Sequence, residues 1–113
     1  MTFQQGQGIL GKIRFKDGKY PNYNRTYLIV GVYSDYIEVL NISSTQGKEH
    51  KLLFKANRKI INHYPPFTKP SFVKLDSLVK VPLKDCQNLI ILAKGQTLDK
   101  NELQDIIKNT IKP

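Results

Sequence analysis

The sequence is short of four things. It has a single cysteine, Cys86, in 113 residues. That excludes an internal disulfide framework and a multi-cysteine zinc site, and it fits a reducing, cytoplasmic compartment. An apolar run follows Cys86, so a buried, inert thiol is expected there rather than a nucleophile. No apolar stretch approaches the roughly 18–20 residues of a membrane span. With no such span, no membrane partner is expected. The opening Met1–Gly6 lacks the charged and apolar regions of a secretory signal, so no such signal is expected there. Histidines number two, His50 and His63, far apart in the chain; with one cysteine they make no metal site, and no cofactor is expected. Acidic residues are the fourth shortage: 9 Asp and Glu stand against 18 Lys and Arg, a net charge of +9. An excess of that size implies an anionic partner, such as nucleic acid, an acidic protein or an anionic surface.

What is present reads as one domain over residues 1–113. Hydrophobic residues make up 40% of the chain, enough to exclude a disordered tail, and the length supports one real core. Gly8–Phe15 reads as a first strand, with Ile13 and Phe15 alternating with Lys12 and Arg14. Residues 16–24 form a polar, aromatic, proline-containing loop. Tyr27–Tyr33 and Tyr36–Ile42 are β-branched and aromatic runs around Ser34-Asp35, which predicts a β-hairpin. Leu28-Ile29-Val30 is apolar on both faces, as in a central, covered strand. Glu49–Phe54 reads as a further strand, residues 55–70 as irregular, and Phe72–Leu75 and Leu78–Val81 as two more strands before Pro82 ends the pairing. Leu89–Ala93 fits either a short strand or a buried helical turn. The spacing of Leu103, Ile106, Ile107 and Ile111 predicts a C-terminal helix, capped by Thr97 or Asp99 with Glu102 as capping-box partner. Many short strands and one helix predict a mainly β fold, a small, strongly bent antiparallel barrel.

The hairpin carries the chemistry. Arg25 opens its first strand, and hydroxyls at Ser43, Ser44 and Thr45 close its second. With a two-residue loop, Arg25 falls opposite Ser44; one bulge would bring Ser43 there instead and swap faces. A guanidinium beside a hydroxyl, on a basic protein, can hold and activate a phosphodiester. A solvated strand end has the same pattern. The loop before it interleaves Lys16, Lys19, Tyr20 and Tyr23, residue types suited to phosphate contact and base stacking; Lys48 lies just past the serine turn. His50 and His63 alone have an unperturbed pKa near neutrality and are candidates for RNA contact or proton transfer.

The order of these motifs resembles the MazF/PemK/Kid family of toxin endoribonucleases. Gly11-Lys12-Ile13-Arg14-Phe15 resembles that family's opening Gly-Asp-Ile strand. Arg25-Thr26-Tyr27-Leu28-Ile29-Val30 with Val39-Leu40-Asn41-Ile42-Ser43 resembles its Arg-Pro-apolar strand and the partner ending in Ile-Thr or Ile-Ser. Ser71–Val81 resembles the segment before its closing helix. Lys12 and Thr26 depart from the usual Asp and Pro, and Ser43 from the more frequent Thr. The resemblance implies an SH3-like barrel. It implies a sequence-specific, metal-independent endoribonuclease (an mRNA interferase) that cuts single-stranded RNA by attack of the ribose 2′-OH. It puts the catalytic pair on Arg25 and Ser43, with Ser44 second. It further implies a homodimer and neutralisation by an acidic antitoxin. Two other readings suit the same charge and fold: a non-catalytic nucleic-acid-binding barrel, and a protein-targeting toxin like the gyrase poisons of the CcdB family, which would act through its C-terminal helix.

Overall fold

In the computed structural model, which describes residues 2–15 and 17–112, seven strands and one helix follow one another along the chain. The strands are β1 Gly8–Gly11, β2 Arg25–Val32, β3 Tyr36–Ser44, β4 Asn57–Ile60, β5 Ser71–Lys74, β6 Val79–Pro82 and β7 Ile90–Ile91; the helix α1 is Lys100–Asn109. All pairings are antiparallel. The sheet runs β4-β5-β3-β2-β1-β7, with β6 also on β3. It is an open, mainly β architecture with β4 and β7 at its ends.

The central hairpin forms as expected. Tyr33 N–H donates to Tyr36 O at 2.9 Å across the Ser34-Asp35 loop, and Gly31 and Val32 pair with Glu38 and Ile37. Then the register shifts: Ile29 pairs with Val39 and Thr26 with Ile42. Val30 is the extra residue of a β-bulge. A bulge leaves backbone groups without ladder partners, and here Gln5 Nε2 donates to Val30 O at 2.8 Å.

Both faces of β2 are covered. On one face Leu28, Val30, Leu40, Ile42 and Val73 pack under Phe67, Leu98 and the helix residues Leu103 and Ile106. On the other Tyr27, Ile29, Ile37 and Val39 pack under Ile13, Val81, Cys86 and Leu89. Cys86 is buried as expected, its thiol pushed up from the ordinary value by desolvation. β5 and β6 lie end to end along β3 rather than as a hairpin. In the gap between them Ser77 Oγ accepts from Asn41 N–H at 2.8 Å and donates to Lys74 O at 2.6 Å, replacing a missing strand partner.

Five expectations are corrected. β1 ends at Gly11, because Phe15 instead closes a turn with Lys19 and Gly18 (2.7 and 2.9 Å). Glu49–Leu53 is a short 3-10 helix, not a strand. It closes on itself through Lys51 N–H to Lys48 O, and leaves Leu53 and Phe54 87% and 58% exposed. The strand in this region is β4, within the stretch expected to be irregular, and it pairs with β5. Asp99 does cap α1, accepting from Glu102 N–H at 3.1 Å. The Glu102 carboxylate, however, turns inward instead of completing a capping box. It accepts from Ile61 N–H (2.7 Å), Asn62 N–H (3.0 Å) and Arg58 (2.9 Å). Finally, Ile111 lies beyond the helix and is 51% exposed, so the apolar face is Leu103, Ile106 and Ile107.

Candidate active site

Along β2 and β3 the second core stops at Tyr27. Past it the same face carries polar groups. Side chains alternate along a strand, so Arg25 shares the face of Tyr27 and Ile29, and Asn41 and Ser43 share that of Val39. Continued one step beyond Thr26–Ile42, the bulged register sets Arg25 opposite Ser43. On the next strand Phe72 pairs with Ser43, and Lys74 follows two residues on, on the same face.

The segment that covers this face arches away here and leaves a cleft of about 280 Å³, lined by Arg14, Phe15, Arg25, Asn41, Lys74 and Asp76 among others. The Arg25 guanidinium lies 5.3 Å from the Phe15 ring centroid and 5.0 Å from that of Tyr23, close enough for cation–π attraction. These rings hold the side chain without neutralising it. Arg25 Nε is buried and has no hydrogen-bond partner among the described residues. A buried, unpaired donor costs free energy. Lys48 Nζ donates to Ser43 Oγ at 3.2 Å, from the turn that links β3 to the 3-10 helix. The Lys74 ammonium is pushed below its ordinary value, first by desolvation and then by repulsion from Lys51, Arg25 and Lys48; Asp76 partly offsets this. Among the described residues the ion pairs all run from Arg58 to Glu102 and Asp105, remote from this cluster. Lys74 thus has Arg25, Lys48 and Lys51 as cationic neighbours, Lys48 is hydrogen-bonded to Ser43, and a single carboxylate, Asp76, lines the cleft.

The expected residues divide cleanly. Arg25, Ser43, Tyr23 and Lys48 come together. Ser44 does not: the alternation puts it on the opposite face, in another cleft with Thr26 and Tyr64, where its hydroxyl accepts from Gln46 N–H. His50 is exposed on the 3-10 helix between Lys48 and Lys51. His63 belongs to the loop after β4, its carbonyl accepting from Phe67 N–H, and that loop lines the opposite cleft. Lys19 holds a turn through Asp17 and Phe15. Tyr20 packs on Arg14 beside a neighbouring cleft. Lys16 lies outside the described residues. Sequence reasoning missed Lys74, Lys51, Phe15 and Asn41. Lys74 was legible as the polar residue breaking the apolar run Phe72–Leu75; Lys51 was hidden by reading its segment as a strand.

No protein-family model matches the chain, and no curated protein matches it significantly. Among the described residues no group of His, Cys, Asp and Glu is arranged to hold a metal ion, and no helix is long and apolar enough to cross a membrane.

Proposed function

We propose that this chain is a sequence-specific, metal-independent endoribonuclease of the MazF/PemK/Kid kind, its sheet the small bent barrel of that family, cutting single-stranded RNA. The observation that carries the reading is the grouping of Arg25, Lys48 and Lys51 about Lys74, with Lys48 hydrogen-bonded to Ser43 and Arg25 opposite Ser43 in the continued register. A phosphodiester supplies the missing negative charge.

RNA brings its own nucleophile. The 2′-oxygen attacks phosphorus, the bond from phosphorus to the 5′-oxygen breaks, and a 2′,3′-cyclic phosphate and a 5′-hydroxyl result. Arg25 is always protonated and serves as charge stabiliser on the phosphoryl oxygens. Lys74, whose ammonium is pushed below its ordinary value by desolvation and by its cationic neighbours, is assigned the 2′-OH proton. Ser43 donates to the leaving 5′-oxygen and is reprotonated by Lys48, to which it is hydrogen-bonded. Neither histidine takes part.

A non-catalytic binder does not need a lysine held on a hydroxyl opposite an arginine. A toxin acting through its C-terminal helix is less favoured, because the apolar face of α1 is spent on the core. A homodimer and an acidic antitoxin belong to the same proposal. The test is to incubate the pure protein with RNA in excess chelator and identify the ends. Cleavage to 2′,3′-cyclic phosphate is expected, and one 2′-deoxy sugar 5′ of the scissile bond should allow binding but stop cutting. An absolute need for Mg²⁺, or unchanged cutting of the deoxy substrate, would falsify it.

A further inference from the structure

The cleft holding Arg25 opens directly into a second one. Ile13, Arg14, Phe15 and Val79 line both, and the second has a volume of about 330 Å³. Its floor is apolar, from Val79, Val81 and Pro82, and its rim carries Arg14, Tyr20 and Asp85. Tyr20 is 53% exposed. Arg14 fixes it twice, donating to its hydroxyl at 3.2 Å and lying 5.1 Å from its ring centroid. Lys80 also lines this pocket. The Arg14–Tyr20 pair thus adjoins the Arg25 cleft. Base stacking on exposed rings with flanking cations is how single strands are held.

Asp85 is the anomaly in this pocket. It is a carboxylate facing a pocket whose other charged residues, Lys12, Arg14 and Lys80, are cations, on a surface that must attract RNA. It has no hydrogen bond or ion pair among the described residues. A carboxylate there repels phosphate, so its use is to accept hydrogen bonds from a base. An ionised carboxylate accepts only. Guanine alone among the RNA bases offers it two neighbouring donors, N1–H and the N2 amino group, matching the paired oxygens as an arginine fork does. Adenine and cytosine offer one amino group, and uracil one N–H between two repelling carbonyls.

We infer that the pocket between Tyr20 and Asp85 is a guanine subsite adjoining the phosphate cluster, and that it sets the base preference of the bound strand. It rests on the nuclease reading above, because the strand is placed by the Arg25 cluster.

The experiment measures affinity for uncleavable 2′-deoxy hexamers of uracil carrying guanine, hypoxanthine or adenine at each position in turn. At one position guanine should bind about tenfold or more tighter than hypoxanthine, which lacks the N2 amino group. Asp85→Asn should abolish that preference while binding the all-uracil strand no worse. Tyr20→Ala should weaken the guanine strand about tenfold, the scale of one lost stack. Both residues are exposed, and matched melting temperatures confirm intact folding. Arg25-dependent binding that ignores base identity, Tyr20 and Asp85 overturns the subsite and leaves the nuclease reading standing. Uniformly tighter binding by Asp85→Asn with the preference kept overturns the carboxylate's role. Absence of any Arg25-dependent binding removes the subsite together with the reading beneath it.

Discussion

Arg25 and Lys74 are both cations of one cleft, and the proposed mechanism gives them opposite tasks. The Arg25 guanidinium lies within cation–π range of two rings. Lys74 is partly desolvated and repelled by three neighbours, which favours its neutral form. Arg25→Ala should lower the cleavage rate about 100-fold or more, the scale of one preorganised charge stabiliser. Arg25→Lys should rescue poorly, since an ammonium lacks the planar fork. Ser43→Ala should be damaging and Ser44→Ala nearly silent, because they lie on opposite faces; equal losses in single-turnover assays would contradict the register. Lys51→Gln tests Lys74 indirectly. Removing that repulsion raises the Lys74 pKa toward its ordinary value, so the alkaline rise of the pH–rate profile should move to higher pH. An unmoved profile would take Lys74 out of proton transfer. Of these residues Arg25 and the serines were legible in sequence, as polar groups ending β-branched runs. The choice between Ser43 and Ser44 was not, because it depends on the bulge at Val30, and Val30 looks like any other residue of an apolar strand.

At the level of elements, what could be read were the segments with their own periodicity: the hairpin, the strands after residue 70 and the helix. Glu49–Phe54 misled because its run of Leu52, Leu53 and Phe54 suggested a strand, whereas Glu49–Leu53 closes on itself as a 3-10 helix and, among the described residues, pairs with no strand. β4 is short and polar, Asn57-Arg58-Lys59-Ile60, and is a strand because β5 pairs with it. Its neighbour Glu102 ties α1 to the sheet end. Burial alone would raise that carboxyl; amide donors from Asn62 and Ile61 and the Arg58 guanidinium outweigh burial and hold it below the ordinary carboxylate value. A depressed folded pKa stabilises the fold above the unfolded value and loses that contribution as pH falls through the folded one. Stability should therefore decline from about pH 5 downward, given an unfolded Glu value of about 4.3. Glu102→Ala should cost about 2–3 kcal/mol at pH 7, from unpaired donors left behind, and should flatten the acid limb. Glu102→Gln, which keeps an acceptor for the two amides, should cost less. Denaturant unfolding at pH 7 and pH 3.5 distinguishes this from a purely steric loss, which would be equal at both.

Across the whole molecule the chain carries an excess of 9 positive charges. Among the described residues the ion pairs are those of Arg58 at the helix, and Arg14, Arg25 and Lys74 of the cleft form none. Such a surface attracts any flexible polyanion, whether RNA or an acidic peptide, and the two must compete because the same cations serve both. Single-stranded RNA that neutralises about four phosphates should show a slope near −3 for log affinity against log salt. Lys51→Gln should reduce that slope by about 0.7, one counterion fewer. An acidic, disordered segment of the proposed antitoxin orders on binding and can cover the Arg25 cleft and the pocket beside it. It should displace RNA stoichiometrically and lose affinity in Arg25→Ala and Lys74→Ala alike. Titrating a labelled, uncleavable RNA with such a peptide at two salt concentrations measures both slopes at once. Simultaneous binding of peptide and RNA, or a peptide affinity indifferent to salt, would place the antitoxin on another surface and leave the cleft to RNA alone.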